Sequence, residues 1–321
     1  MALNVDEISA LTENLWVPLI ADNVMTSNPL MARLWQRGPK VQGGVKIRAP
    51  LMYAKIGAAG AIQGFDTMTT DADDQFTAAD FEWKEYYAAI ILSHREMFQN
   101  SGEPEQIDHL SAKSQAAEMT LRDLMGTGLF SDGTTNTKLI DGLNAVVNTT
   151  GTYPSGGGGI NRAVETWWQA GFRLANPAVI GQLTAANALA FFQAGVGALT
   201  QQPNSPTMIV VSQAIFDMAM RSFNIAGSSQ YFEDPGLASL GFETIMFRRI
   251  PIVVDSHSTA DSTWFLNENF LQLYTLQDEN FKFEPYRKPI NQKVYVGYIF
   301  WTGNLICNNP RFQGVYTDTL A

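Results

Sequence analysis

Residues 45–98 place two extended apolar runs on either side of a glycine-rich stretch, and a segment built that way cannot be stable alone. In residues 45–56, VKIRAPLMYAKI, Val45, Ile47 and Ala49 alternate with Lys46, Arg48 and Pro50. That is the two-residue period of a strand, with a proline that suits an edge. Gly57, Gly60 and Gly64 follow among small residues, then the acids Asp71, Asp73 and Asp74. The second run, from Phe76 to Phe98, carries Trp83. Together the runs read as a long two-stranded excursion with a flexible, acidic tip. An isolated hairpin is marginal in water because it has no second layer against which to bury a face. Something outside the segment must cover it.

The lead segment poses the same question. Val5, Ile8, Leu11, Leu15 and Val17 keep a loose helical period that Pro18 interrupts, and Asn28-Pro29 opens a second helix that Gly38-Pro39 closes. Trp16 and Trp35 need a surface to cover them, either the chain's own body or a neighbouring copy. After the hairpin, Pro104 and Gly126 bracket a helix of roughly 22 residues, with Ile107, Leu110, Ser114, Ala117, Leu121 and Leu124 on one stripe. Residues 126–160 are irregular and rich in Gly, Thr and Asn, a length that implies function or contact with a partner. Helices are predicted over 181–198 and from Ser212 to about Phe223. Strands are predicted over 207–211, 243–248, 250–254, 263–267, 270–275, 294–306 and 313–316. Without regular alternation of strand and helix, the class is α+β.

Composition narrows the function. Charged residues are 16% of the 321 and aromatics 11%, against about 25% charge in an average domain. Interfaces favour aromatics and deplete Lys, Glu and Asp, so the balance suits a surface largely covered by neighbours, although secreted monomers share it. The net charge of −10 argues against a nucleic-acid reader. It is uneven: residues 1–60 carry +2, 61–125 carry −9 and the rest −3. The acidic stretch reads as a solvated loop, or as a patch that meets the basic amino-terminal arm of another copy. No apolar stretch approaches the roughly 20 residues of a membrane helix, and no secretory signal opens the chain, so synthesis in the cytosol is expected.

No catalytic constellation emerges. His94, His109 and His257 lack any metal-ligand spacing, and Cys307 is alone, which excludes an intrachain disulfide. The run from Gly57 to Gly64 lacks a phosphate-binding pattern, and Asp71, Asp73 and Asp74 lack the calcium-loop order. No enzyme activity, cofactor or metal is expected.

In order, several segments resemble the major capsid proteins of tailed bacteriophages, with the capsid fold named after phage Hong Kong ninety-seven. The resemblance rests on LFSDG at 129–133 with DGLN at 141–144, PTMIVVS at 206–212, IMFRRIPIVV at 245–254, WFLN at 264–267 and Trp167-Trp168. It implies an amino-terminal arm over 1–44 and an extended loop over 45–92 that reaches across an adjacent subunit. It also implies a peripheral domain over 93–175 and 291–321, built on a long spine helix, and an axial domain with a mixed sheet over 176–290. The function implied is an icosahedral shell of pentamers and hexamers around double-stranded DNA, held without sequence-specific binding and without a membrane. A separate scaffolding protein, a portal and a decoration protein are the implied partners, with Trp16, Trp35, Lys46, Arg48, Gly57, Gly60, Gly64 and Trp83 as assembly residues. Some family members crosslink a loop lysine to an asparagine of the next subunit; here Lys46 or Lys55 would meet Asn308 or Asn309. An encapsulin-like compartment is the alternative within the fold, and a hydrolase with an unrecognised site is the alternative outside it.

Overall fold

The computed structural model describes residues 28–71, 73–95, 103–149, 158–175, 181–184, 186–225, 244–259 and 261–317. The stripe from Val5 to Val17 and Trp16 lie outside these, as do the side chains of Ile107, Leu110 and His109.

Among the described residues the first element is α1 (Pro29–Arg37). Asn28 caps it, its side chain accepting from the Met31 N–H at 3.0 Å, and Pro29 sits where a missing N–H costs nothing. Leu30, Met31, Ala32 and Leu34 are buried. On the opposite side Arg33 and Arg37 reach the carboxylate of Glu268, which is almost fully buried, at 2.9 and 3.4 Å. A desolvated carboxylate held by two guanidinium groups pins α1 to the body.

Two sheets form that body. The first comprises β1 (Lys40–Val41), β4 (Lys84–Ser93), β10 (Leu271–Leu276), β11 (Lys282–Arg287) and β12 (Val294–Cys307). Strand β12 is the shared partner: β10 and β11 pair successively along one edge and β4 runs along the other, all antiparallel. One face of β12, with Ile299, Trp301 and Leu305, enters the core. There Trp301 meets Trp35 and Tyr86 at ring separations of 6.4 and 5.7 Å. Phe281, at φ 49°, is forced into a backbone region most side chains avoid and is held there beneath Trp35. Trp35 is thus partly covered by its own chain.

The second sheet is six-stranded and mixed. Its order is β5 (Phe172–Ala175), β13 (Gly314–Thr317), β9 (Thr263–Leu266), β6 (Met208–Val211), β8 (Ile250–Val254) and β7 (Thr244–Phe247). Every residue of β6 is buried, because both faces are covered. Met208, Val210, Trp264 and Leu266 join the core shared with the first sheet. Ile209, Val211 and Phe265 meet α4 (Ala188–Leu199) and α5 (Gln213–Ile225) through Phe191, Phe192, Ile215 and Phe216. The sheets join segments far apart in the chain: β5 and β13 join the strands of 208–266, while β10 and β11 pair with β12. Hydrogen-bonded neighbours, not chain order, set these units.

The long helix is α2 (Glu103–Leu129), about 40 Å at 1.5 Å per residue. Ser114, Ala117, Leu121, Met125 and Leu129 are buried against β4, while Leu124, expected on that stripe, is more exposed. The helix also runs past Gly126, expected just beyond its end. A Cβ at Gly126 would collide with the His257 ring, and one at Gly128 with the Tyr86 hydroxyl. These glycines admit neighbours rather than stop a helix. The irregular stretch after α2 is tucked inward, with Ile140, Leu143, Val146 and Val147 fully buried around the short α3 (Leu143–Val146).

Helix α4 offers a clean test of this packing. A Cβ at Gly195 would strike the Phe265 ring, whereas one at Gly197 meets nothing within 4 Å. Gly195→Ala is expected to destabilise by roughly 1–3 kcal/mol through overpacking. Gly197→Ala is expected to stabilise by about 0.5–1 kcal/mol by removing backbone freedom from the unfolded chain. Urea unfolding of both variants reads the opposite signs.

Candidate assembly surface

The hairpin consists of β2 (Ile47–Met52) and β3 (Phe76–Phe81), paired antiparallel from Ile47 opposite Phe81 to Met52 opposite Phe76. Its base is covered by its own chain. Ile47, Ala49, Leu51, Ala79 and Phe81 pack with Trp168 and Ile306. The Asp80 N–H donates to the carbonyl of Gly158 at 3.1 Å. Gly158 takes a left-handed φ of 65°, and a Cβ there would run into Ala79, so only glycine lets the loop close on the strand.

The return run is two strands rather than one. β3 ends at Phe81, and after Glu82 and Trp83 the chain enters the body sheet as β4, which pairs with β12. The free excursion is therefore shorter than 45–92. Trp83 stands at the crossing, its indole N–H donating to the Gly44 carbonyl at 2.8 Å. It braces the base of the hairpin, as does Lys46, 3.7 Å from Glu82. Arg48 forks onto Asp80 across the strand pair at 2.7 and 3.0 Å. Hydrogen bonding to Arg48 holds the Asp80 carboxyl below its usual range and raises the Arg48 guanidinium. Three of the expected assembly residues, Lys46, Arg48 and Trp83, thus make contacts within the chain at the hairpin's root.

The tip, residues 53–75, is where cover runs out. Ile56, Ile62, Phe65 and Met68 are exposed, Phe65 completely, and Phe76 beside them is also largely bare. Apolar side chains bared together mark an interaction surface. Gly57, Gly60 and Gly64 give the tip its path: the Gly57 N–H donates to Asp73 at 2.8 Å, Gly64 has φ 63°, and Gly60 has open space around it. Lys55 is exposed on the tip, and the side chain of Asn309 accepts from the Arg311 N–H.

A second bare surface is absent from the sequence expectations. Strand β4 alternates buried and exposed residues along its length. On its outer face the exposed Tyr87 and Ile91 lie beside the half-buried Phe300 and buried Val296 of β12, and those beside Lys282 and Arg287 of β11. Tyr87 and Tyr298 touch edge to face at 6.4 Å. The two-residue period of 84–93 carries the signal, but reading those residues as the hairpin's return strand hides which sheet they face.

Asp141 and Asn304 are fully buried and bonded to each other at 2.7 and 2.9 Å. A cleft of about 450 Å³ opens between Phe130, Asp132, Asn144 and His257. There Asp132 is held well below the carboxylate range by the backbone and hydroxyls of Thr135 and Thr134. Burial pushes the Cys307 thiol up to about 12. Among the described residues no group of three His, Cys, Asp or Glu side chains is placed to hold a metal, and no helix is long and apolar enough to cross a membrane.

His257 links the segment after β8 to α2. It lies 3.6 Å from Asp255 and 3.2 Å from Asp123 on α2, and the hydrogen bond with Asp255, then that with Asp123, raises its pKa against the opposing effect of burial. A pKa raised on folding adds stability that is complete below the unfolded value near 6.5 and is lost as pH rises through the folded value. His257→Gln should therefore lower the melting temperature more at pH 6 than at pH 8, as scanning calorimetry would show. Cys307, buried with so high a pKa, should resist thiol reagents in the native protein and react fully in denaturant.

No protein-family model matches the sequence, and no curated protein matches it. Solved structures do. The capsid asymmetric unit of cyanophage A-1(L) superimposes at a TM-score of 0.63 and 17% identity, covering 92% of this chain and 93% of that one. The capsid of Myoviridae phage XM1 gives 0.56 and 13%, covering 88% and 90%. The holo-SrpI encapsulin complex of Synechococcus elongatus gives 0.54 and 9%, covering 88% and 84%. With a hairpin standing off two sheets and a long helix beneath them, this chain has the Hong Kong ninety-seven-type capsid fold, matched over nearly its whole length.

Proposed function

We propose that the chain is the major capsid protein of a tailed bacteriophage, a structural subunit that assembles with copies of itself into the icosahedral head around double-stranded DNA. The observation that carries this reading is the bare apolar hairpin tip, on a fold that phage capsids share from end to end. Such a tip gains its cover from another copy. The outer face of the first sheet offers a receptor, with exposed Tyr87 and Ile91 and half-buried Phe300 among Lys282, Arg287, Glu85 and Glu284, while the tip carries Asp66, Asp71, Asp73 and Asp74 against Lys55 alone. Apolar contact supplies the affinity, and pairing of tip carboxylates with Lys282 and Arg287, away from Glu85 and Glu284, supplies the orientation.

Head-to-tail contacts of this kind close into rings when the rotation allows, giving pentamers and hexamers that the hairpin and the amino-terminal arm tie together. The four-part division into arm, extended loop, peripheral and axial domains belongs to this reading, with the loop confined to the β2–β3 hairpin and its tip. So do a separate scaffolding protein, a portal, a decoration protein, a place in the virion and synthesis in the host cytoplasm. With a net charge of −10, the shell would enclose DNA without gripping its phosphates and leave neutralisation to cations. A lysine–asparagine crosslink from Lys55 or Lys46 to Asn308 or Asn309 would show as a covalent ladder from boiled particles. The encapsulin likeness supports a second reading, a compartment around a cargo protein, which copurifying cargo would identify.

Electron microscopy of the purified protein is expected to show closed shells or tubes. Replacing Ile62, Phe65 and Met68 with serine should leave the melting temperature unchanged, because these side chains are exposed, and should abolish the particles. Variants that still assemble would remove the tip from the mechanism, and a wild-type protein that stays monomeric at high concentration would overturn the shell reading.

A further inference from the structure

Strands β7 and β8 turn through two residues only, since Phe247 pairs with Ile250. Both central residues, Arg248 and Arg249, have positive φ, 50° and 67°. This mirror-image turn suits the twist of a hairpin but crowds any Cβ, so asparagine and glycine are the residues it favours. Two consecutive arginines there oppose the local preference. Among the described residues nothing compensates: both are exposed, and neither forms an ion pair there. The contact seen is Arg248 over its neighbour Phe247, 5.7 Å from the ring centre. A local rule broken without internal gain points to a gain outside the molecule.

The surroundings choose the partner. Between Arg173 and Arg248 the chain carries one cation, Arg221, against Asp217, Glu233, Asp234 and Glu243. Binding to a nucleic-acid backbone needs several cations spread along one face, which this region lacks. A pair of guanidinium forks suits carboxylates, which it can grip two oxygens at a time. Strand β7 ends the order of the six-stranded sheet, so the turn stands at its rim, and a second copy brings a net charge of −10. We propose that the Arg248–Arg249 turn is an assembly contact that binds carboxylates on a second copy of this chain, the backbone strain being accepted for the sake of that contact. The inference rests on the shell reading and assigns it a second contact, remote from the hairpin.

Two variants test it. Arg248→Asn with Arg249→Gly removes the charge and supplies the favoured turn, so the protein folds at least as well. Arg248→Lys with Arg249→Lys keeps both the charge and the strain. The first should raise the melting temperature by about 2–4 °C and raise the concentration needed for assembly, read by light scattering and electron microscopy, by at least about tenfold. The lysine pair should leave the melting temperature in place and assemble between wild type and the first variant, having lost the two-pronged grip. Assembly of the first variant at the wild-type concentration, or no rise in its melting temperature, would overturn the proposal. So would loss of binding to a short DNA duplex with assembly unchanged, which would give the turn to nucleic acid. Failure of the wild type to assemble is a separate result, visible without any variant, that overturns the shell reading itself.

Discussion

Strand β12 is the interaction on which the rest of the structure depends. One stretch, Val294–Cys307, satisfies the backbone of β4 along one edge and of β10 and β11 along the other. Its Trp301 gives both α1, through Trp35, and β4, through Tyr86, an aromatic surface to pack on. Its Asn304 donates to the Glu82 carbonyl just where the hairpin leaves the body, and also holds Asp141 in the loop after α2. A side chain with that many fixed partners in a dry setting sets direction as well as stability. The hairpin can stand off the body because its root is fastened to this strand.

Much of this was legible in the sequence because the second sheet is buried on both faces. Runs such as MIVV and IPIVV have no polar residue to spare, and short apolar runs between turn residues mark such strands well. Legibility failed where chain order and spatial order part. Glu82-Trp83 carries neither glycine nor proline, yet the chain leaves one sheet for another there, so two strands of different sheets read as one. The strands Phe172–Ala175 and Lys282–Arg287 leave little local signal because one is four residues long, the other mixes charges with a proline, and both depend on pairing with β13 and β12. Gly126 reads as a helix stop by composition, but His257 occupies the space its side chain would need. The arrival of a distant residue beside a glycine leaves no local trace.

The candidate surface divides in the same way. Gly57, Gly60 and Gly64 locate the tip from sequence because glycine is costly wherever order is wanted. Trp35 and Trp83 are ambiguous in sequence because a large aromatic signals burial without saying against what. Within the chain, Trp35 meets Phe281 and Trp301, and Trp83 braces Gly44. The side chains left bare are less conspicuous: Ile56, Ile62, Phe65 and Met68 keep no period, since no regular element presents them. Periodicity detects surfaces that a fold covers for itself, whereas a surface that waits for a partner is written in irregular backbone.

The two proposed contacts differ in kind, and the difference has consequences. The tip offers apolar area on an adaptable loop, so contact must order it, and the entropy lost in doing so offsets part of the gain. The Arg248–Arg249 turn is held rigid by a two-residue connection between paired strands, so little freedom is lost when it binds, and its cost lies already in the backbone of the free subunit. A flexible apolar clasp tolerates a range of angles between subunits. A rigid charged one fixes a single angle and weakens as salt rises. A shell built from one sequence must place the same subunit in five-fold and six-fold settings, and one adaptable and one rigid contact per subunit is a physical means of doing both.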